Sequence, residues 1–116
     1  MLVIRPEQMK VLDEYSFKQF VKSMLDYLKS NHAPRVVGKT DSELQGIIEA
    51  GTDKAEGYGI ETEDEVRGII ECLVVFGNAF DVDNEWAIKI LHDESIGADE
   101  KVRLLLEQVQ SRLKEK

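Results

Sequence analysis

Asp81-Val82-Asp83-Asn84-Glu85 sets acidic and amide side chains at alternate positions. A calcium loop of the EF-hand type begins this way, holding its ion with oxygen ligands at fixed steps. Counted from Asp81, however, the sixth residue is Trp86, where glycine must make the turn. The twelfth is His92, where a bidentate glutamate must close the site. The run therefore reads as helix capping, since Asp and Asn side chains hydrogen-bond nearby backbone groups. His92-Asp93-Glu94 adds hard-metal ligands, but no spacing fixes them with Asp81 and Asp83 on one helix face. A metal-dependent enzyme or metal-binding protein using these acidic loops stands as the alternative reading. Nucleophilic catalysis needs Ser, Cys or Thr beside a positioned base. The single cysteine, Cys72, lies in an apolar stretch and reads as packing. Neither histidine is tied to it by spacing: His32 precedes a helix-ending proline and His92 sits in an acidic loop, and both read as solvated. A lone cysteine gives no internal disulfide and no zinc-ligand pattern. There is no glycine-rich phosphate loop and no basic aromatic surface for single-stranded nucleic acid. A carboxylate-pair glycosidase needs a concave cleft that five short helices would struggle to form. The expectation is a non-enzymatic chain with no catalytic residue, cofactor or metal.

With 116 residues, 42% hydrophobic and 33% charged, the chain matches one packed domain over residues 1–116. Its longest apolar runs, Leu73 to Phe76 and Leu104 to Leu106, are too short to span a bilayer. The start, Met1-Leu2-Val3-Ile4-Arg5-Pro6, has no secretory-signal pattern, and a cytoplasmic location is expected. The formal charge is −8 and is unevenly spread. Residues 1–60 hold 8 Lys/Arg against 9 Asp/Glu, whereas residues 61–100 hold 12 Asp/Glu against only Arg67 and Lys89. Such a field repels nucleic-acid phosphate and anionic lipid and steers a basic partner.

The elements that must carry these residues are all helical. Apolar positions Met9, Leu12, Phe20, Met24 and Leu28, widened by Phe17, Val21 and Leu25, predict helix over about residues 6–30. Pro6 suits its first turn, and Ser16 offers a cap for a second start if the segment breaks near Tyr15-Ser16. Pro34 should push Ala33 out of helical geometry and end it. Thr40-Asp41-Ser42-Glu43 is a capping box that opens a second helix, its inner face Leu44, Ile47, Ile48, Gly51, Ala55 and Tyr58. Gly51 and Ala55 permit close approach of another helix of the chain, or of a second copy in a homodimer. Gly57 or Gly59 should end this helix. Thr62-Glu63-Asp64-Glu65 repeats the capping box and opens a central helix with Val66, Ile69, Ile70, Leu73, Val74 and Gly77 inward. After a turn over Phe80 to Asn84, capped by Asp83 or Asn84, a short helix turns Trp86, Ala87, Ile90 and Leu91 inward. A last helix over Ala98 to Lys114 buries Val102, Leu105, Leu106, Val109 and Leu113. The result is an all-α fold, a compact bundle of about five helices.

Ile4-Arg5 with Gln8, Phe20-Val21 with Met24 and Leu28, Glu43-Leu44 and Ile47-Ile48 begin a wider pattern. It continues through Gly51, Ala55, Tyr58-Gly59-Ile60, Val66, Phe76-Gly77, Phe80-Asp81, Trp86-Ala87 and Ile90-Leu91. Over residues 4–91 the pattern resembles a family of small proteins encoded beside type VI secretion spike and effector genes in Gram-negative bacteria. Its most specific parts are the Tyr58-Gly59-Ile60 turn and the Phe76-to-Trp86 turn; it departs at His32-Ala33-Pro34, where similar chains have an aromatic residue before the proline. The resemblance implies a partner of a secreted effector, an immunity protein or an effector-loading chaperone, and supplies no catalytic residues. Taken with the acidic field, it predicts contacts to a basic effector face from Glu61, Glu63, Asp64, Asp81, Asp83, Glu85, Asp93 and Glu94.

Overall fold

A computed structural model describes residues 14–60 and 62–114, with side chains from residue 17 onward. Seven helices follow one another among them: α1 Glu14–Asn31, α2 Ala33–Val36, α3 Asp41–Gly57, α4 Glu63–Phe76, α5 Phe80–Asp83, α6 Glu85–Leu91 and α7 Ala98–Lys114. Five have seven residues or more; α2 and α5 are single turns. No strand occurs among the described residues, and the expected all-α bundle is what forms.

The helix starts show how local chemistry fixes the elements. At Thr40 both halves of the capping box are made: the Glu43 N–H donates to Thr40 Oγ1 (3.1 Å) and the Thr40 N–H donates to Glu43 Oε1 (2.8 Å). At Thr62 only one half is formed among the described residues, Glu65 N–H to Thr62 Oγ1 at 3.2 Å. α3 closes at Gly59, whose φ of +74° a residue with a Cβ adopts only with strain. There the Ile60 N–H reaches back to the Ala55 carbonyl (2.8 Å) and the Gly59 N–H to that of Glu56 (3.1 Å), a Schellman closure that drives Ile60 into the core. α4 ends at Gly77, where φ is +105°.

Several local expectations change. α1 runs unbroken through Tyr15 and Ser16, so no second helix starts at Ser16, while Pro6, Met9 and Leu12 lie outside the described residues. Ala33 is not expelled from helical geometry. It opens α2 with Pro34 in the first turn, where proline's missing N–H is not needed, and the break falls one residue earlier at His32. The Phe80 to Asn84 segment is a helical turn, and Asn84 directs its side chain backward, Nδ2 donating to the Phe80 carbonyl (3.0 Å), rather than capping α6.

α4 is the centre of the bundle. Val66, Ile69, Ile70, Cys72, Leu73 and Val75 are buried on nearly all its sides. α3 approaches one flank so closely that a Cβ on Gly51 would stand 2.5 Å from Ile70 Cγ1, and Ala55 is fully buried. The small pair is thus used within the chain and offers no surface to a second copy. α7 takes the opposite flank, where a Cβ on Gly68 would meet Val102 Cγ1 at 2.5 Å. Further along, the Arg112 guanidinium lies 5.5 Å from the Phe76 ring centre. Contacts at 68 with 102 and at 76 with 112 rise together along both chains, so α4 and α7 run parallel. Their N-termini lie at the same end of the bundle. Trp86 stacks edge-on against Phe76 at 5.0 Å, anchoring α6 at the other end.

Candidate functional site

The parallel packing of α4 and α7 decides where the charge goes. Glu63 precedes Gly68 by about 7 Å of helix and Asp99 precedes Val102 by about 5 Å, so the first turns lie side by side. Those turns carry Glu63, Asp64 and Glu65 on α4 and Asp99 and Glu100 on α7. The loop into α7 adds Asp93 and Glu94, both exposed. Asp93 accepts from the Ser95 N–H (2.9 Å) and hydroxyl (2.5 Å), bonds that hold its carboxyl below the usual carboxylate range. Two helix N-termini supply about one positive charge between them. Arg67, 3.4 Å from Asp64, Arg103, bridging Glu100 and Glu107, and Lys101, whose charge acts on Asp93, add three more. Against five carboxylates in the first turns and two in the loop, these leave the end of the bundle negative. Helix capping therefore accounts for only part of the acid.

Six of the eight predicted contact residues are exposed. Glu63, Asp64, Asp93 and Glu94 share the acidic end. Asp83 and Glu85 are exposed, with Glu85 3.9 Å from Lys89, but they sit beside Trp86 and hence toward the Phe76 end of α4. Glu61 lies outside the described residues. Asp81 is the clear departure: at 5% exposure it is buried and cannot present its carboxylate to a partner.

What Asp81 does instead was hidden in the sequence. The Tyr58 hydroxyl donates to Asp81 Oδ2 (2.8 Å), and Lys54 Nζ stands 3.0 Å from Oδ1, a charge contact at an angle outside hydrogen-bond geometry. Burial alone would raise the Asp81 pKa, but Lys54 and Tyr58 outweigh it and hold the carboxyl below its ordinary value. Tyr58 is pushed up to about 12 by burial and by the Asp81 carboxylate. This triad ties α5 to α3, and the other edge of the Tyr58 ring meets His92 at 5.8 Å in a T-shaped contact. Beside it a cleft of about 260 Å³ is lined by Gly57, Tyr58, Leu91, His92, Glu94 and Lys101, of both charge signs.

A second buried polar group joins α1, α2 and α4. His32, expected in solvent, is 4% exposed, with Nε2 3.7 Å from Oε1 of Glu71, itself 5% exposed. Tyr27 stands 6.2 Å from the imidazole, and the Arg67 guanidinium covers the Tyr27 ring at 5.1 Å. Burial would raise the Glu71 pKa; His32, Tyr27 and Arg67 together hold it below the ordinary value. Sequence reasoning missed both clusters, and Thr52 as well, whose hydroxyl donates to the Ile48 carbonyl (2.8 Å) inside α3. The one available signal was Glu71 standing alone among Ile69, Ile70, Cys72 and Leu73.

Among the described residues no three His, Cys, Asp or Glu side chains come together as a metal would require. Cys72 is buried, and desolvation pushes its thiol above the usual range, away from the thiolate a nucleophile needs. No described helix is long and apolar enough to cross a membrane. No protein-family model, curated protein or solved structure matches the chain.

Proposed function

We propose that this chain is a non-enzymatic cytoplasmic binding protein that receives the basic face of a cognate secreted effector on its acidic bundle end, as an immunity protein or an effector-loading chaperone. The observation that carries the reading is the side-by-side placement of the α4 and α7 first turns, with Glu63, Asp64, Asp99 and Glu100 beside Asp93 and Glu94. Clustered exposed charge of one sign speeds encounter with an opposite surface and rejects like-charged ones. The type VI context comes from the resemblance, and the basic effector face from charge complementarity.

Co-expression with each neighbouring gene product tests it. A complex retained in low salt and weakened in high salt is expected; no complex with any neighbour at low salt ends the proposal. Glu63→Lys with Glu94→Lys should slow association by about tenfold or more at low ionic strength, and Asp83→Lys with Glu85→Lys should slow it much less. The reverse ranking moves the site to the α5–α6 end. A toxin-survival assay then separates the two roles, since an immunity protein rescues cells making the active effector and a loading chaperone raises effector abundance and delivery without rescue.

A further inference from the structure

Lys101 and Glu94 line one cleft from different elements, Lys101 from α7 and Glu94 from the loop before it. Among the described residues neither side chain is in an ion pair or a hydrogen bond. Lys101 acts on Asp93 through its charge, but the Asp93 carboxylate is already occupied by the Ser95 N–H and hydroxyl. The ammonium of Lys101 thus keeps its donors, and the carboxylate of Glu94 its acceptors. The wall between them is held in place. The Tyr58 ring is tied through its hydroxyl to Asp81 (2.8 Å) and meets the His92 ring at 5.8 Å, while Leu91, buried at 2% exposure, adds apolar surface. Gly57 brings no side chain, and nothing lies within 4 Å of where its Cβ would stand. We propose that this cleft binds a small zwitterion of the α-amino acid class, with its carboxylate on Lys101, its ammonium on Glu94 and its side chain along Tyr58 and Leu91.

Size and charge select that class. The cleft holds about 260 Å³, below the roughly 300–1,000 Å³ that drug-sized ligands occupy, which limits the occupant to a metabolite of amino-acid size. A simple anion drawn to Lys101 would meet the Glu94 carboxylate, and a simple cation drawn to Glu94 would meet the Lys101 ammonium. A nucleotide or sugar phosphate is larger and would bring further negative charge toward Glu94 and Asp93. A molecule with one charge of each sign a few bonds apart satisfies both side chains at once, through charge-assisted hydrogen bonds. The inference does not depend on the effector reading: the cleft uses no residue of α4, and its test contains no effector.

Titration of the full chain with each of the standard L-amino acids, followed by NMR chemical shifts, tests the site. At least one should give saturable shifts centred on Tyr58, Leu91, His92, Glu94 and Lys101, with a Kd of about 1 mM or below. The N-acetyl derivative of the strongest binder lacks the ammonium and its carboxamide lacks the carboxylate. Each should bind about tenfold or more weakly than the parent, because a hydrogen-bonded charge is lost. The parent amino acid should weaken by a similar factor on Lys101→Gln and on Glu94→Gln. Should either variant fold poorly, the two derivatives carry the test on the wild type. Saturable shifts from no amino acid, shifts centred elsewhere, or a derivative that binds as well as its parent overturns the proposal.

Discussion

Gly51 and Gly46 stand five residues apart on α3 and should respond to the same substitution with opposite signs. Alanine gains about 1 kcal/mol of helix propensity over glycine at either position. At Gly46 nothing lies within 4 Å of a new Cβ, so Gly46→Ala should stabilise by up to that amount. At Gly51 the Cβ would stand 2.5 Å from Ile70 Cγ1, an atom next to the backbone on a stiff β-branched side chain that cannot swing aside. Overpacking of this kind costs about 1–3 kcal/mol, and Gly51→Ala should be destabilising on balance. Denaturation midpoints of the two variants check both signs. Tyr58→Phe, which removes a hydrogen bond to a charged acceptor, should cost about 1.5–3 kcal/mol by the same measurement. Gly51 and Asp81 differed in legibility. Gly51 belonged to an apolar stripe with Ala55 and announced close packing, whereas Asp81 lay in a polar run and its partner Tyr58 is 23 residues away. Nothing in the local pattern distinguishes a carboxylate that meets water from one that meets a distant hydroxyl.

Helix ends test how far a local motif carries an element. Thr40 and Thr62 sit in the same sequence pattern, yet Thr40 satisfies two backbone donors reciprocally and Thr62 accepts one. Loss of an N-cap costs about 0.5–2 kcal/mol. Thr40→Ala should fall near the upper part of that range and Thr62→Ala near the lower, and equal losses would mean that the Glu43 half of the box contributes nothing. Gly77 closes α4 at φ +105° and ψ 165°, a region essentially reserved for glycine, so Gly77→Ala should cost about 1–3 kcal/mol although nothing crowds the site. The long helices were legible because capping residues and apolar spacing mark them within one window. The single turns α2 and α5 were not, since four residues give no periodicity. Proline read as a stop at Ala33 is equally suited to a first turn. The parallel pairing of α4 with α7 was likewise invisible, and with it the grouping of the acidic turns, because no local signal sets the direction in which two distant helices meet.

For the molecule as a whole, the two buried carboxylates among the described residues, Glu71 and Asp81, set how stability falls in acid. Their folded pKa values lie below the ordinary ones, so each contributes stability that is present above its unfolded pKa and lost as pH falls through the folded value. Melting temperature should therefore fall steeply below about pH 4. Asp81→Asn isolates part of this acid limb: at neutral pH it should lose about 1.5–3 kcal/mol, since Lys54 and Tyr58 keep their places without the charge they face. As pH falls through the folded pKa of Asp81, the wild type surrenders the same interaction and the two melting curves should converge. Parallel acid limbs for wild type and Asp81→Asn would mean that the Tyr58–Asp81–Lys54 triad carries none of the acid sensitivity and would shift that burden to Glu71.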